Sequence, residues 1–231
     1  MKPVVAVDGY ASSGKGTIAR MLAQKFNFAY LDSGILYRMF AYLQLESLRG
    51  SENFENLQNI NENLKNGTLW EISVHDLLAM KNKISENVLR SDTVSNATIS
   101  TSKLSAVRNV ITKFIREFAA DPGKNFAGSV IDGRDIGTVA IPNATCKIFM
   151  TADPKIRAKR RFDELKTKNC NVTFEEVYEN MKNRDLQDST RDTAPLTFND
   201  DYIIVDTSNE TVEESFEKIV RIINDYVIKQ R

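Results

Sequence analysis

Short apolar runs alternate with longer stretches in which apolar residues recur at helical spacing. Five apolar runs lie at 4–7, 28–31, 129–131, 147–150 and 202–205, and each is followed by an aspartate or a threonine. Runs this short and apolar indicate buried strands, and the stretches between them indicate amphipathic helices. The pattern predicts an α/β fold with a five-stranded parallel sheet and surrounding helices. In such sheets ligands bind beyond the carboxyl ends of the strands.

Three helix starts can be placed in the second half of the chain. Asp153 followed by Pro154 is typical of an N-cap and a first helical residue. The Thr-x-x-Glu spacing at 173–176 and again at 211–214 is typical of a capping box. We therefore predict that helices begin just after residues 153, 173 and 211.

The region from 51 to about 102 departs from this alternation. Apolar residues at helical spacing within a stretch rich in Asn and Glu predict a peripheral helix over about 51–67. Two short runs at 69–74 and 77–81, separated by two residues, predict a hairpin. We predict an inserted lobe that extends to about residue 102 and precedes a long helix containing Val107, Ile111 and Phe114.

Composition narrows the classes of function. The 231 residues, 42% of them hydrophobic, suffice for one sizeable core. The 31 basic and 31 acidic side chains cancel, so we expect neither nucleic acid nor a membrane surface as a partner. Two cysteines without a C-x-x-C spacing are typical of a reduced, cytoplasmic protein. A single histidine, His75, argues against His-based catalysis and a multi-His metal site.

A glycine-rich segment follows the first predicted strand and opens the first predicted helix. Residues 9–17 match the G-x-x-x-x-G-K pattern, whose backbone N–H groups and helix dipole hold the phosphates of ATP. Lys15 would reach the transferring phosphate, and the Thr17 hydroxyl would lie near Mg²⁺. The predicted ATP-binding residues of this phosphate loop are Gly9, Ala11, Ser12, Ser13, Gly14, Lys15, Gly16 and Thr17. A Rossmann dinucleotide site is disfavoured because G-x-G-x-x-G is absent.

Arginines gather after the other predicted strands, often beside aspartates. Arg157, Arg160 and Arg161 lie at i, i+3 and i+4, so they share one face of a predicted helix. Like charges repel there unless an anion neutralises them. This face is therefore either a lid over nucleotide phosphates, which arginine binds in a bidentate manner, or a solvated basic surface beside Glu164.

The arginines also bear on the kind of acceptor. Phosphoryl transfer requires positioning and charge neutralisation more than covalent chemistry. An acceptor that is itself a phosphate is already ionised and needs no general base. Many arginines without a catalytic histidine therefore favour a phosphate acceptor over an alcohol.

These segments together resemble the bacterial form of cytidylate kinase, a family of P-loop nucleoside monophosphate kinases. The resemblance rests on residues 9–17, L-D-S-G-I-L-Y-R at 31–38, D-G-R-D-I-G-T at 132–138, R-A-K-R-R at 157–161 and the segment 184–196. It implies one kinase domain with a core at about 1–64, 103–152 and 170–231, a CMP-binding insert at about 65–102 and a small lid at about 153–169. It also implies a monomer that phosphorylates CMP and dCMP with ATP and Mg²⁺.

The resemblance implies roles for individual residues as well. The catalytic residues would be Lys15, Arg134, Arg157 and Arg161, with Arg157 also binding ATP. The CMP-binding residues would be Ser33, Tyr37, Arg38, Ser100, Arg108, Arg134, Asp135, Arg184, Asp188 and Arg191. Of these, Ser33, Arg38, Arg134 and Arg191 would hold the acceptor phosphate. Arg108 and Asp135 would read the cytosine edge, and Asp188 would lie near the ribose.

Three positions depart from the family pattern, and two alternative functions stay open. Tyr10 replaces the usual proline of the phosphate loop, Ile99 stands where a base-contacting serine is frequent, and Gln187 stands where an arginine is frequent. The nearest rival is another P-loop kinase, acting on AMP, UMP or shikimate, and the insert and D-G-R-D segment argue against it. The other rival is a nucleotide-dependent switch, which would need no second phosphate site.

Overall fold

The computed structural model describes residues 2–48, 83–168 and 170–228. Its strands and helices in chain order are β1 (Val4–Gly9), α1 (Lys15–Phe26), β2 (Phe28–Asp32), α2 (Ser33–Leu48), α3 (Glu86–Leu89), α4 (Asp92–Thr101), α5 (Ser105–Ala120), β3 (Gly128–Gly133), β4 (Cys146–Thr151), α6 (Pro154–Thr167), α7 (Phe174–Thr190), β5 (Tyr202–Asp206) and α8 (Val212–Ile223). Short π-helical turns lie at Ile136–Ala140 and Asn224–Ile228.

The five strands form one sheet in the order β2-β3-β1-β4-β5. β1 runs parallel to β3 on one side and to β4 on the other, and β4 runs parallel to β5. All six residues of β1 are buried, as expected for the central strand of a sheet covered on both faces. The predicted five-stranded parallel sheet with surrounding helices is confirmed.

One hydrophobic core lies against the sheet. Val5 and Val7 of β1 and Ile148 of β4 pack with Leu22 of α1 and Ile219 of α8, and all five are almost fully buried. The apolar faces of α1 and α8 therefore hold these helices on the sheet, and the loop between β1 and α1 starts from rigid elements on both sides.

The three predicted helix starts are confirmed. The Asp153 carboxylate accepts hydrogen bonds from the N–H groups of Lys155 and Ile156, with Pro154 at the first helical position of α6. Helices α7 and α8 each begin with a complete capping box, at 173–176 and at 211–214. These caps satisfy N–H groups that would otherwise lack a partner at a helix start.

Packing divides the chain into two compact units. The first combines the residues up to Leu31 with those from Phe118 onward, and it contains the sheet. The second, Asp32–Glu117, contains α2, α3, α4 and most of α5, and α2 packs against α4 within it.

The inserted lobe is only partly covered by the described residues. The predicted helix at about 51–67 and the hairpin at 69–81 lie outside them. The described part, from 83 to 102, is helical, with Ser85 capping α3 and Ser91 capping α4. Among the helices in the described ranges, none has the length and apolar character needed to cross a membrane.

Candidate active site

The loop between β1 and α1 has a backbone that few residue types can adopt. Gly9 and Gly14 have positive φ angles of 148° and 87°, and Ser12 has a φ of 56°. A Cβ on Gly9 would overlap the carbonyl oxygen of Met150 in β4, so no side chain fits there. The glycines thus let the phosphate loop pass close against the neighbouring strand and turn into α1.

The start of α1 carries no side-chain cap. Its N-cap residue, Gly14, has no side chain to offer, and the first turn contains no acidic residue. The Lys15 ammonium donates a hydrogen bond to the Tyr10 carbonyl within the loop, at 3.2 Å. An uncapped helix start beside a lysine favours an anion with several acceptor oxygens, as a phosphate group has.

An aspartate that the sequence interpretation left without a role lies beside this loop. Asp132 is the second-last residue of β3, and a Cβ placed on Gly16 would lie 3.5 Å from its Oδ2. The Tyr30 hydroxyl donates to its Oδ1 at 2.9 Å, which fixes the carboxylate. The available signal was an acidic residue at the carboxyl end of a strand, which the topology makes a neighbour of β1.

The donor set beside the loop fits Mg²⁺. A carboxylate oxygen from Asp132 and a hydroxyl from the exposed Thr17 are hard ligands, and Mg²⁺ is usually held by one or two carboxylates together with substrate phosphates and water. No group of three His, Cys, Asp or Glu side chains with metal-binding geometry occurs in the part of the chain that the structure describes. A carboxylate and a hydroxyl suit an ion that is also held by the phosphates of a nucleotide.

A second charged site combines the loop after β3 with the end of α7. We call it the arginine–carboxylate cluster, and its members are Arg134, Asp135, Arg184, Asp188 and Arg191. Arg134 Nε donates to Asp188 Oδ2 at 3.0 Å. Arg191 lies 3.7 Å from both Asp188 Oδ1 and Asp135 Oδ1, and its Nε donates to the Ala194 carbonyl at 2.6 Å. The structure thus brings together five of the residues predicted to bind CMP.

The cluster has more positive than negative charge. Burial would raise the pKa of Asp188, but the guanidinium groups of Arg134 and Arg184 hold it below its usual value. Burial and the charge of Arg134 lower the pKa of Arg184. The cluster contains three guanidinium groups and two carboxylates, so a bound anion would neutralise the excess positive charge.

Arg157 is a buried part of the scaffold. Its Nε donates to the Ala152 carbonyl at 2.9 Å, and its Nη1 contacts Asp185 Oδ2 at 2.6 Å and the Ala11 carbonyl at 3.3 Å. The guanidinium also lies over the Tyr10 ring, 4.8 Å from its centroid. Arg157 therefore links the phosphate loop to both α6 and α7.

The other two arginines of the α6 face have separate acceptors. Arg160 donates to the Thr207 hydroxyl and carbonyl at 3.0 and 2.6 Å. Arg161 Nη1 donates to Glu164 at 2.8 Å. The face is therefore not the set of uncompensated like charges that its sequence spacing suggested.

Four of the remaining predicted residues lie within the second unit. Ser33 is buried at the start of α2, one turn before Tyr37 and Arg38. Arg38 donates to the Leu89 carbonyl at 3.0 Å and to Ser95 Oγ at 2.7 Å. Arg108 donates to the Tyr37 hydroxyl at 3.2 Å, and its guanidinium lies over the Tyr37 ring.

Comparison with known proteins agrees with this geometry. A family model described as cytidylate kinase matches residues 5–225. The chain belongs to the cytidylate kinase family. It is 37% identical over 230 residues to a protein named cytidylate kinase from Flavobacterium johnsoniae, covering 98% of each chain. It is 36% identical to one of the same name from Clostridium tetani, covering 100% of this chain and 98% of that one.

A solved structure shares the fold of this cytidylate kinase family member. An uncharacterized protein from Eubacterium ventriosum superposes with a TM-score of 0.50 at 14% identity, over 96% of this chain and 99% of its own. At that identity the likeness concerns the fold alone. The family membership makes the chain a kinase, that is, a phosphotransferase that binds nucleotides.

The departures from the cytidylate kinase pattern have structural consequences. The Tyr10 ring lies between the Arg157 guanidinium and the edge of Phe149, whose centroid is 5.7 Å away. Ile99 is half-buried on α4, and the neighbouring Ser100 is exposed and donates to the Ala97 carbonyl. Gln187 is exposed on α7. Of the three, Tyr10 contacts Arg157, a residue predicted to bind ATP.

Proposed function

We propose that this protein transfers the γ-phosphoryl group of ATP to CMP and dCMP, giving ADP with CDP or dCDP. The observation that supports the proposal is that one compact unit contains two separate arrangements of groups suited to phosphate. The phosphate loop follows β1, and the arginine–carboxylate cluster follows the adjacent strand β3. A nucleotide switch would need only the first of these arrangements.

The donor would bind at the phosphate loop. The N–H groups of the loop and of the first turn of α1 would hold the phosphates of ATP, because no side-chain cap occupies them. Lys15 would leave the Tyr10 carbonyl and contact the transferring phosphate. Mg²⁺, held by Asp132 and Thr17 with the phosphates, would neutralise the charge that develops on the phosphate oxygens.

The acceptor would bind at the arginines. As the family resemblance implies, Arg134, Arg191, Ser33 and Arg38 would hold the acceptor phosphate. A phosphate oxygen is ionised at neutral pH, so the residues need only orient it in line with the γ-phosphoryl group. Arg161 would stabilise the negative charge on the transferring phosphoryl group. Arg157 would assist in this from its buried position between the phosphate loop and α7.

Base selection would rest on Asp135 and Arg108. Cytosine presents an amine donor beside a ring-nitrogen acceptor, and uracil presents the reverse. A carboxylate accepts from the amine and a guanidinium donates to the ring nitrogen, so uracil would face both groups with the wrong polarity. Mispaired buried polar groups cost about 1–3 kcal/mol each. We therefore expect kcat/KM for CMP to exceed that for UMP by much more than about tenfold.

Asp135→Ala tests this assignment. ADP release would be measured with CMP, dCMP, UMP and AMP for the wild type, for Asp135→Ala and for Asp200→Ala, an exposed aspartate before β5. We expect Asp135→Ala to lose more activity on CMP than on UMP and Asp200→Ala to behave as wild type. Equal losses on both substrates would make Asp135 an orienting residue for Arg191. A wild type that prefers UMP or AMP would overturn the cytidylate assignment.

The remaining expectations concern the setting of the reaction. We propose that the enzyme works as a monomer in the cytoplasm, without nucleic acid or membrane partners. The balance of 31 basic and 31 acidic side chains supports the last part of this proposal, because it provides no overall field that would attract a polyanion or an acidic membrane.

A further inference from the structure

Asp8 is a fully buried carboxylate at the end of the central strand. It is the residue before Gly9, where the phosphate loop begins, and none of its surface is exposed. Burial raises the pKa of Asp8, and its hydrogen bonds act in the opposite direction. A charged group removed from water is costly unless the protein supplies donors, so its partners are informative.

Three donors converge on this carboxylate from two other parts of the chain. Oδ1 accepts from the Ile136 N–H at 2.9 Å. Oδ2 accepts from the Gly137 N–H at 2.9 Å and from the Tyr202 hydroxyl at 2.6 Å. The two N–H groups open the π-helical turn that directly follows Arg134 and Asp135.

The surroundings fit this arrangement closely. A Cβ on Gly137 would lie 2.6 Å from the Tyr202 hydroxyl and 3.0 Å from Cγ of Lys147, so only glycine lets the phenol reach Asp8. Lys147 lies over the Tyr202 ring, 6.0 Å from its centroid, and is fixed by Asp201 at 3.1 Å. The phenol therefore has a defined position from which it donates to the carboxylate.

The position of Asp8 in the sheet gives these bonds a functional meaning. Asp8 pairs with Gly133 in the β1–β3 register, so the residues between that pairing and the Asp8 hydrogen bonds are Arg134 and Asp135. The segment that carries both side chains is held at its start by the pairing of Gly133 with β1. It is held at its end by the hydrogen bonds from residues 136 and 137 to Asp8. One residue further along β1 the phosphate loop begins.

We propose that Asp8, with the Tyr202 hydroxyl, is a positioning residue that holds Arg134 and Asp135 at the acceptor side of the reaction. This inference rests on the proposed function, in which those two side chains bind the acceptor. Asp8 touches neither substrate, and its effect passes through the backbone of residues 136 and 137.

Two variants and one control separate this role from a contribution to stability alone. Asp8→Asn keeps the shape but replaces an acceptor by an NH₂ donor, which then faces an N–H or the phenol. Tyr202→Phe removes only the hydroxyl and keeps the ring. Val205→Ala, at a fully buried position in β5, weakens the core without touching the Asp8 contacts.

The measurement is the KM for each substrate, with kcat, for variants shown to be folded by circular dichroism. We expect Asp8→Asn to raise the KM for CMP by about tenfold or more and Tyr202→Phe to raise it by about three- to fivefold. The KM for ATP should stay within about twofold in both, and Val205→Ala should lower the unfolding temperature with both KM values unchanged. If Asp8→Asn does not fold, the KM for CMP of Tyr202→Phe alone tests the proposed role of Asp8.

Other outcomes would overturn the inference. Unchanged KM values in both variants, with only a lower unfolding temperature, would make the Asp8 contacts purely structural. A rise confined to the KM for ATP would place the effect on the phosphate loop. If the wild type phosphorylates a different monophosphate, the same comparison is made with that acceptor, so failure of the cytidylate assignment is distinct from failure of the Asp8 role.

Discussion

The two arrangements that we propose to bind phosphate, the phosphate loop and the arginine–carboxylate cluster, differ in how they are built. The phosphate loop consists of nine consecutive residues, and its binding groups are backbone N–H groups at an uncapped helix start with one lysine. The arginine–carboxylate cluster takes side chains from the loop after β3 and from α7, more than 50 residues apart. The loop is therefore fixed by local backbone geometry, whereas the cluster depends on long-range contacts and on paired charges.

This difference predicts different responses to mutation. Loss of the Lys15 ammonium group from the loop should remove catalysis and leave stability, because this side chain is not part of the hydrophobic core. A change in the cluster should shift acceptor binding. Its effect on stability should depend on whether the altered group is paired, as Arg134 is with Asp188, or repelled, as Arg184 is by Arg134.

The largest effect is expected at Lys15. Lys15→Met keeps the length of the side chain and removes the ammonium group, so turnover should fall by about 100- to 1,000-fold or more. The unfolding temperature should change by only a few degrees. The matched control is Lys25→Met in the last turn of the same helix, which should behave as wild type. Near-normal turnover in folded Lys15→Met would contradict the assignment of the donor site.

A smaller effect is expected at Arg184, where charge repulsion and anion binding oppose each other. Burial and the neighbouring charge of Arg134 already disfavour its protonated form. Arg184→Gln should therefore leave the unfolding temperature unchanged or higher, while the KM for CMP rises by about tenfold, since hydrogen bonds to charged groups are worth about 1.5–3 kcal/mol. Arg221→Gln on the exposed face of α8 is the control. A less stable variant with an unchanged KM would make Arg184 a structural residue.

The pH dependence of stability should report the pairing inside the cluster. The pKa of Asp188 is lower in the folded chain than its usual value, mainly because Arg134 and Arg184 outweigh the effect of burial. Its stabilising contribution is therefore complete above the unfolded pKa, about 3.9, and is lost as the pH falls through the folded pKa. Urea unfolding should give a larger free energy of unfolding for the wild type than for Asp188→Asn at pH 7. This difference should become smaller below about pH 4. A difference in free energy of unfolding that does not change with pH would exclude charge pairing of Asp188 as its cause.

The smallest effect is expected far from both arrangements. Thr211→Ala removes the N-cap of α8 and should lower the free energy of unfolding by about 1 kcal/mol. The kinetic constants for both substrates should be unchanged, because α8 reaches the site only through the core. A changed KM for either nucleotide would show that the scaffold and the two arrangements are coupled more tightly than the contacts indicate.

Local signals in the sequence predicted the locally built parts of the molecule. The phosphate loop and the three helix caps each lie within a few consecutive residues, and the alternation of apolar runs predicted the sheet. Arg38, Arg134 and Arg157 were found because they follow strand ends, which parallel topology brings to one edge.

Contacts between distant segments could not be predicted in this way. The spacing of Arg157, Arg160 and Arg161 suggested one shared charged face, but their acceptors come from the phosphate loop, α7 and the end of β5 as well as from α6. Asp8 was passed over because a buried aspartate at a strand end gives no sign of which N–H groups it will meet. Pairings of this kind follow from strand order and register, which a sequence pattern does not specify.

We propose that the phosphate loop and the arginine–carboxylate cluster work together to move a phosphoryl group from ATP to CMP. Phosphorus NMR of the wild type with ATP, CMP and Mg²⁺ tests it directly, because the products of transfer and of hydrolysis have distinct resonances. We expect ADP and CDP to appear in equal amounts, with no inorganic phosphate and no ATP consumption when CMP is omitted. Release of inorganic phosphate without CDP, or binding of ATP with no product at all, would contradict the account.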